Sequence, residues 1–214
     1  LQSVEKIRVR ITASARESTR RTILEKSHQL FCLVGFEVAT IRDIAKAVGV
    51  APGTLFNYFP TKEAIAAAIV LKQPSRAPIA ENRYDTLEEA LFALAAQTMR
   101  RWKACRNYLH AALEPTLSLD EFTESSRTFQ ELRDQHLGQV KKLAEGYLSR
   151  GPLVPLELHL YWTLFFGVIV FWGRDASRKQ EASLALLDDS MNMFAGWVES
   201  GPARNQMWEA PSRP

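Results

Sequence analysis

The chain has 214 residues, 46% of them hydrophobic and 24% charged, an ordinary globular composition with ample apolar material for a core. Its 2 cysteines exclude a secreted disulfide framework and favour a reducing cytoplasm. The net charge is only +3, but residues 1 to 76 carry 12 Lys and Arg against 6 Asp and Glu, leaving +6 there and −3 in the remainder, so the basic end suits a partner rich in phosphate.

Residues 1 to 13 read as a basic arm, with neither a helical stripe nor the apolar segment of a signal peptide. Ser14 and Glu17 form a capping-box pattern that opens a first helix. Its inner face is Ile23, Leu24, Ser27, Leu30, Phe31 and Val34, with Cys32 as a small core residue of the same stripe, and Gly35 closes it. Near its start, Arg16, Arg20 and Arg21 stand where they meet either phosphate or solvent.

The stretch 40 to 62, TIRDIAKAVGVAPGTLFNYFPTK, is the most informative of the chain. Thr40 and Asp43 make an N-cap and capping box, and Ile41, Ile44, Ala45 and Val48 recur at helical spacing. Gly49 ends this helix where the reversal calls for a positive φ. Pro52 suits the first turn of a new helix, anchored by Leu55, Phe56 and Phe59. Gly53, Thr54, Asn57 and Tyr58 are left facing outward. Two short helices and a tight turn are the form in which a helix-turn-helix meets DNA. Asn57 is able to pair bidentately with an adenine edge, Thr54 offers a hydroxyl and a methyl, and Gly53 permits close backbone approach. Tyr58 and Lys62 suit phosphate contacts.

Thr61 caps a fourth helix from about Lys62 to Lys72, with Ile65, Ala66, Ile69 and Val70 inward. Residues 73 to 84 hold two prolines and read as a linker. Thr86 and Glu89 open a stripe from Leu87 to Leu113, either one long helix or a pair broken near Asn107, and Pro115 stops it. Ser118 and Glu121 open the next helix, which Gly151 and Pro152 end. The apolar run Leu160 to Trp172 is too short for a membrane span of about 20 residues and reads as a buried helix. Ser177 and Gln180 make the last capping box, and residues 201 to 214 read as a tail.

Two heptad-like seams fall on the last two helices. Leu158, Trp162, Phe165, Ile169 and Trp172 form one, and Leu184, Leu187, Met191, Phe194 and Val198 the other. Leu158, Trp162, Ile169, Trp172 and the second seam are assigned to a dimer interface. A second apolar face on the penultimate helix, Leu160, Leu164, Val168 and Phe171, leaves one face for the core and one for a partner.

The chain resembles the TetR family of transcriptional regulators. The residues that carry this are Arg21-Thr22-Ile23-Leu24, Leu30-Phe31, Gly35-Phe36, Thr40 to Ala45, and Gly49 to Glu63, roughly the first third of the chain. The resemblance implies an all-α homodimer with an N-terminal helix-turn-helix domain over residues 14 to 72. It also implies a C-terminal helical bundle over residues 85 to 200 that binds a small effector and releases a palindromic operator. By position it implies DNA contacts from Thr40, Arg42, Pro52, Gly53, Thr54 and Asn57, and phosphate clamps from Tyr58 and Lys62; Arg20 joins them as a candidate. Two departures are Phe56, where a tyrosine is common, and Ala51, where a small hydroxyl residue usually caps the recognition helix.

Trp102, Tyr108, Phe122, Phe129, His136, Tyr161 and Phe165 lie on inward stripes of the C-terminal part and are the candidate effector residues, favouring an apolar aromatic or acyl ligand. His110 is a second polar group there. The four histidines show no metal-ligand spacing, and neither a nucleophile elbow nor a phosphate-binding glycine loop occurs, so neither an enzyme nor a metal or other cofactor is expected. The reading is a cytoplasmic repressor whose partners are duplex DNA, a second copy and a small effector, with no membrane. Its alternative is a ligand-binding helical dimer with only non-specific DNA affinity.

Overall fold

The computed structural model describes residues 13–74, 83–117 and 126–200, and what it describes is all helical. The order is α1 (Ala13–Val34), α2 (Ile41–Val48), α3 (Pro52–Phe56), α4 (Lys62–Leu71), α5 (Leu87–Trp102), α6 (Leu109–Leu113), α7 (Ser126–Glu145), α8 (Pro155–Arg174) and α9 (Glu181–Glu199). The arm, most of the linker, the Ser118–Glu121 box, Phe122 and the tail lie outside the described residues.

α1 begins at Ala13, so Ser14 sits inside the first turn and does not cap it. Ile23, Leu24, Ser27 and Phe31 face inward, while Val34 and Cys32 are exposed; Cys32 follows the buried Phe31 and so points about 100° away from its face. α4 is buried on every side from Ala64 to Val70. Four alanines among those residues let α1, α6 and α7 approach it closely, so α4 is the strut between the N-terminal head and the bundle.

The long α5 stripe breaks at Trp102, earlier than Asn107, and continues as a 3-10 segment, Lys103–Tyr108. This segment is fastened on three sides. Arg101 just before it donates to the carbonyls of Gln73 and Leu71 at the end of α4, at 2.8 and 3.2 Å. Arg106 donates to Trp172 O at 2.7 Å and to Asp175 O, capping α8. Asn107 donates to Phe31 O in α1 at 3.2 Å.

α8 is 20 residues long and apolar enough to cross a bilayer by length, which corrects the estimate from its apolar run. Its buried face, including Tyr161, Trp162, Phe165, Ile169 and Trp172, packs into the bundle against α6 and α9. α9 starts differently from its expected box. Gln180 adopts a φ of 62° and its side chain accepts from Trp172 Nε1 at 2.8 Å. Ser177 Oγ accepts from the Ala182 N–H at 3.1 Å, and Asp175 shares the capping, accepting from the Ser183 hydroxyl at 2.6 Å and from the backbone N–H of Ser177 and Ser183. These bonds hold its carboxyl well below the usual range.

Candidate nucleic-acid interface and the aromatic core behind it

Local chemistry builds the helix-turn-helix. Thr40 Oγ1 accepts from Asp43 N at 3.1 Å, and Asp43 returns the bond by accepting from Thr40 N at 3.0 Å. The Thr40 hydroxyl proton also goes to Asp43, so this side chain is committed to the cap, and the Asp43 carboxyl is held below its ordinary pKa by those bonds. Gly49 turns the chain at φ 81°, its N–H on Ala45 O at 2.9 Å. α3 begins at Pro52, and Ala51 gives it no side-chain cap, as its missing hydroxyl dictates.

The expected outward face is outward. Arg42, Pro52, Gly53 and Asn57 are exposed, and Thr54 and Tyr58 are half-buried at its edge. Leu55 and Phe59 anchor α3 in the core. Phe56 does not; it stands 51% exposed. The spacing contained this signal, since Leu55 and Phe59 are one helical turn apart and the residue after Leu55 rotates about 100° away from that face.

The start of α1 lies against this module. The Arg20 guanidinium sits 5.0 Å from the Phe59 ring centre and Arg16 sits 5.9 Å from that of Tyr58, so two cations flank the recognition helix. Lys62 is placed otherwise than expected. Its amine donates to Phe36 O at 2.7 Å and Ala39 O at 3.2 Å, and lies 4.2 Å from the Phe36 ring centre. Two of its three donors thus close the α1–α2 connection, which leaves one for phosphate.

The candidate effector residues divide into two groups. Trp102, Phe129, His136, Tyr161 and Phe165 are buried in the bundle core. His136 stacks on Phe165 with ring centres 4.6 Å apart, and Tyr161 lies beside both. The Thr98 hydroxyl donates to Leu94 O, so its oxygen accepts from His136 Nδ1–H at 3.3 Å. Nε2 is then the acceptor for the Tyr161 hydroxyl at 3.0 Å. One proton order satisfies the whole chain, and it requires neutral histidine. Burial, with the nearby Arg101 charge, pushes the His136 pKa down to about 3. Trp102 Nε1 is buried in the same cluster without a hydrogen-bond partner.

Tyr108 belongs elsewhere. Its hydroxyl lies 2.7 Å from His28 Nδ1 of α1, and its ring packs on Phe31 and Phe36. It joins the head to the bundle and is no part of the His136 cluster. His110 is also outside that cluster, 3.9 Å from Glu37 and lining a surface pocket of about 340 Å³ with Asn107, Glu114, Phe166 and Arg174.

The dimer assignment needs the largest correction. Trp162, Ile169, Trp172, Leu187, Met191, Phe194 and Val198 are buried within the single chain and serve its own core. Leu158 is half-buried and Leu184 exposed. The other apolar face of α8 runs through Leu156, Leu160, Leu164, Gly167 and Phe171, at steps of 4, 4, 3 and 4; Leu156, Gly167 and Phe171 are exposed, while Leu160 and Leu164 are half-buried against the core. On α9 the exposed apolar residues are Leu184, Leu186 and Met193, the last 68% exposed. Val168, grouped with that face by spacing, is buried.

Residues 23–69 match the family model described as bacterial regulatory proteins, tetR family. The HTH-type transcriptional regulator UidR of Escherichia coli (strain K12) is 38% identical over 61 residues, 28% of this chain and 31% of UidR. The HTH-type transcriptional repressor Rv1474c of Mycobacterium tuberculosis is 29% identical over 87 residues, 41% of this chain and 46% of that protein. The match thus spans less than half the length of these curated relatives. Among solved structures, a TetR transcriptional regulator from Rhodococcus sp. RHA1 superposes with a TM-score of 0.59 at 18% identity, over 83% of this chain and 98% of that one. The fatty acid degradation regulator FadR from Bacillus halodurans gives 0.50 at 18% identity, over 84% and 96%. At such identities the structural likeness is one of fold.

Proposed function

We propose that this chain, which belongs to the tetR family of bacterial regulatory proteins through its residues 23–69, is a sequence-specific DNA-binding repressor of transcription. One observation carries the reading: a capped helix-turn-helix presents Gly53, Thr54 and Asn57 on one exposed face, beside Arg16 and Arg20. Cations there neutralise phosphate and set the register, and Asn57 reads an adenine edge. α3 enters the major groove once per subunit, and a two-fold dimer reaches grooves about 34–36 Å apart on a palindrome.

The partner for dimerisation is a second copy, seated on the outward stripe of α8 and α9. The effector is a small, mostly apolar molecule bound beside the His136 cluster. Support comes from the buried Trp102 Nε1, a donor that a carbonyl or carboxylate of such a molecule would satisfy. α4 and the 3-10 segment touch both the head and the bundle, so a ligand that favours one packing of the bundle favours one placement of the head.

Selection of bound duplexes from a random library at near-physiological salt tests the reading. A recovered palindrome is the expected result. Recovery of no motif, with binding that vanishes as salt rises, overturns it in favour of a ligand-binding dimer with only electrostatic DNA affinity.

A further inference from the structure

We infer that Phe56 determines part of the sequence preference by reading the 5-methyl group of a thymine in the major groove. The inference rests on α3 being the recognition helix and adds a contact of its own. α3 is held by Leu55 and Phe59, both buried, and this fixes the direction of every other side chain on it. Phe56 and Asn57 lie three and four residues after Gly53, so each neighbours Gly53 on the exposed side of the helix and the two flank it about 100° apart. Phe56 is 51% exposed and flanks Gly53 on that side. Next to it, Gly53 has no side chain and open space around it, which lets the backbone come close to the duplex and brings the ring to the floor of the groove.

The chemistry of the groove then selects the target. A phenyl ring has no donor or acceptor, so it gains nothing specific from a base nitrogen or oxygen and nothing from a phosphate. The base edges of the major groove offer one apolar group, the thymine methyl, and contact with an apolar side chain is how it is distinguished. Burying one methyl against the ring is a gain of about fourfold in affinity per half-site. A tyrosine there would add a hydroxyl able to reach phosphate; phenylalanine withdraws that contact and leaves only the methyl to read.

The test is a double-mutant cycle between protein and DNA. In the selected operator each thymine is replaced in turn by uracil, which removes the methyl and keeps the base pair. Uracil at one thymine of each half-site is expected to weaken the unmodified protein by about fourfold per half-site. That penalty should vanish in Phe56→Ala and in Phe56→Gln, two variants suited to an exposed helical position, with folding checked by thermal melting. Asn57→Ala should keep the uracil penalty while losing discrimination at an adenine. A uracil penalty that persists in both Phe56 variants, or no penalty at any thymine, overturns the assignment. Neither outcome touches the recognition-helix reading, which fails separately if the selection returns no motif.

Discussion

At the scale of single residues, two side chains carry consequences that their positions in the sequence conceal. His136 binds its proton only near pH 3 when folded, against an ordinary value of 6.5. Between those values the unfolded chain holds more protons than the folded one, so stability falls as pH drops through 6.5, by up to about 1.4 kcal/mol per unit. Asp43 and Asp175, whose folded values are depressed, lose stability in the same direction but only as pH falls below their ordinary 3.8. Urea denaturation between pH 6.5 and 4.5 therefore isolates the histidine, and His136→Gln should flatten the slope there. An unchanged slope would mean that another group sets it. Lys62 was expected on phosphate and is found on two carbonyls. Lys62→Met should cost about 1 kcal/mol of stability, since it removes the donor from two part-buried carbonyls. If stability is unchanged and affinity drops equally for all duplexes, the phosphate role is the right one.

At the scale of elements, two glycines of the helix-turn-helix separate fold from function. Gly49 sits at φ 81°, where a side chain is strained whatever the space, whereas Gly53 has an ordinary φ and open space around it. Gly49→Ala should destabilise the domain by about 1 kcal/mol or more. Gly53→Ala should keep or slightly raise stability, as alanine favours a helix, while lowering operator affinity by obstructing close approach. Thermal melting paired with binding isotherms distinguishes the two, and matched losses for both variants would contradict it. This module was legible in sequence because its signals are local: Thr40 with Asp43, Gly49 and Pro52 each act within one turn of their own position. The break after Trp102 was not, because it is fixed by Arg101, Arg106 and Asn107 reaching carbonyls of α4, α8 and α1. Cys32 misled for a different reason: it follows Phe31 directly, and one residue's rotation of about 100° takes it off the inner face that Phe31 occupies.

At the scale of the whole molecule, the proposed dimer raises the question of which face of α8 a second subunit would cover. Sequence could not decide, because α8 is apolar on nearly all sides and both stripes have heptad-like spacing. Packing favours one face for the proposed dimer: the larger side chains, Trp162, Phe165 and Trp172, fill the interior of the chain, whereas Leu160 and Leu164 are only half-buried and Phe171 is exposed. Substitution therefore sorts the two faces by different symptoms. Trp162→Ala leaves a large core void and should cost about 3–5 kcal/mol, seen as a lowered melting temperature. Leu156→Asp with Phe171→Asp places charges on exposed positions, so the single chain should keep its fold. In the dimer those charges are buried without partners, and sedimentation should report a monomer. The monomer keeps its recognition helix but loses the linkage of two heads, so its operator affinity should fall by about 100-fold or more while its weak binding to random duplex persists. A double variant that stays dimeric would return the interface to another surface; one that unfolds would show that the outer stripe helps hold the single chain together.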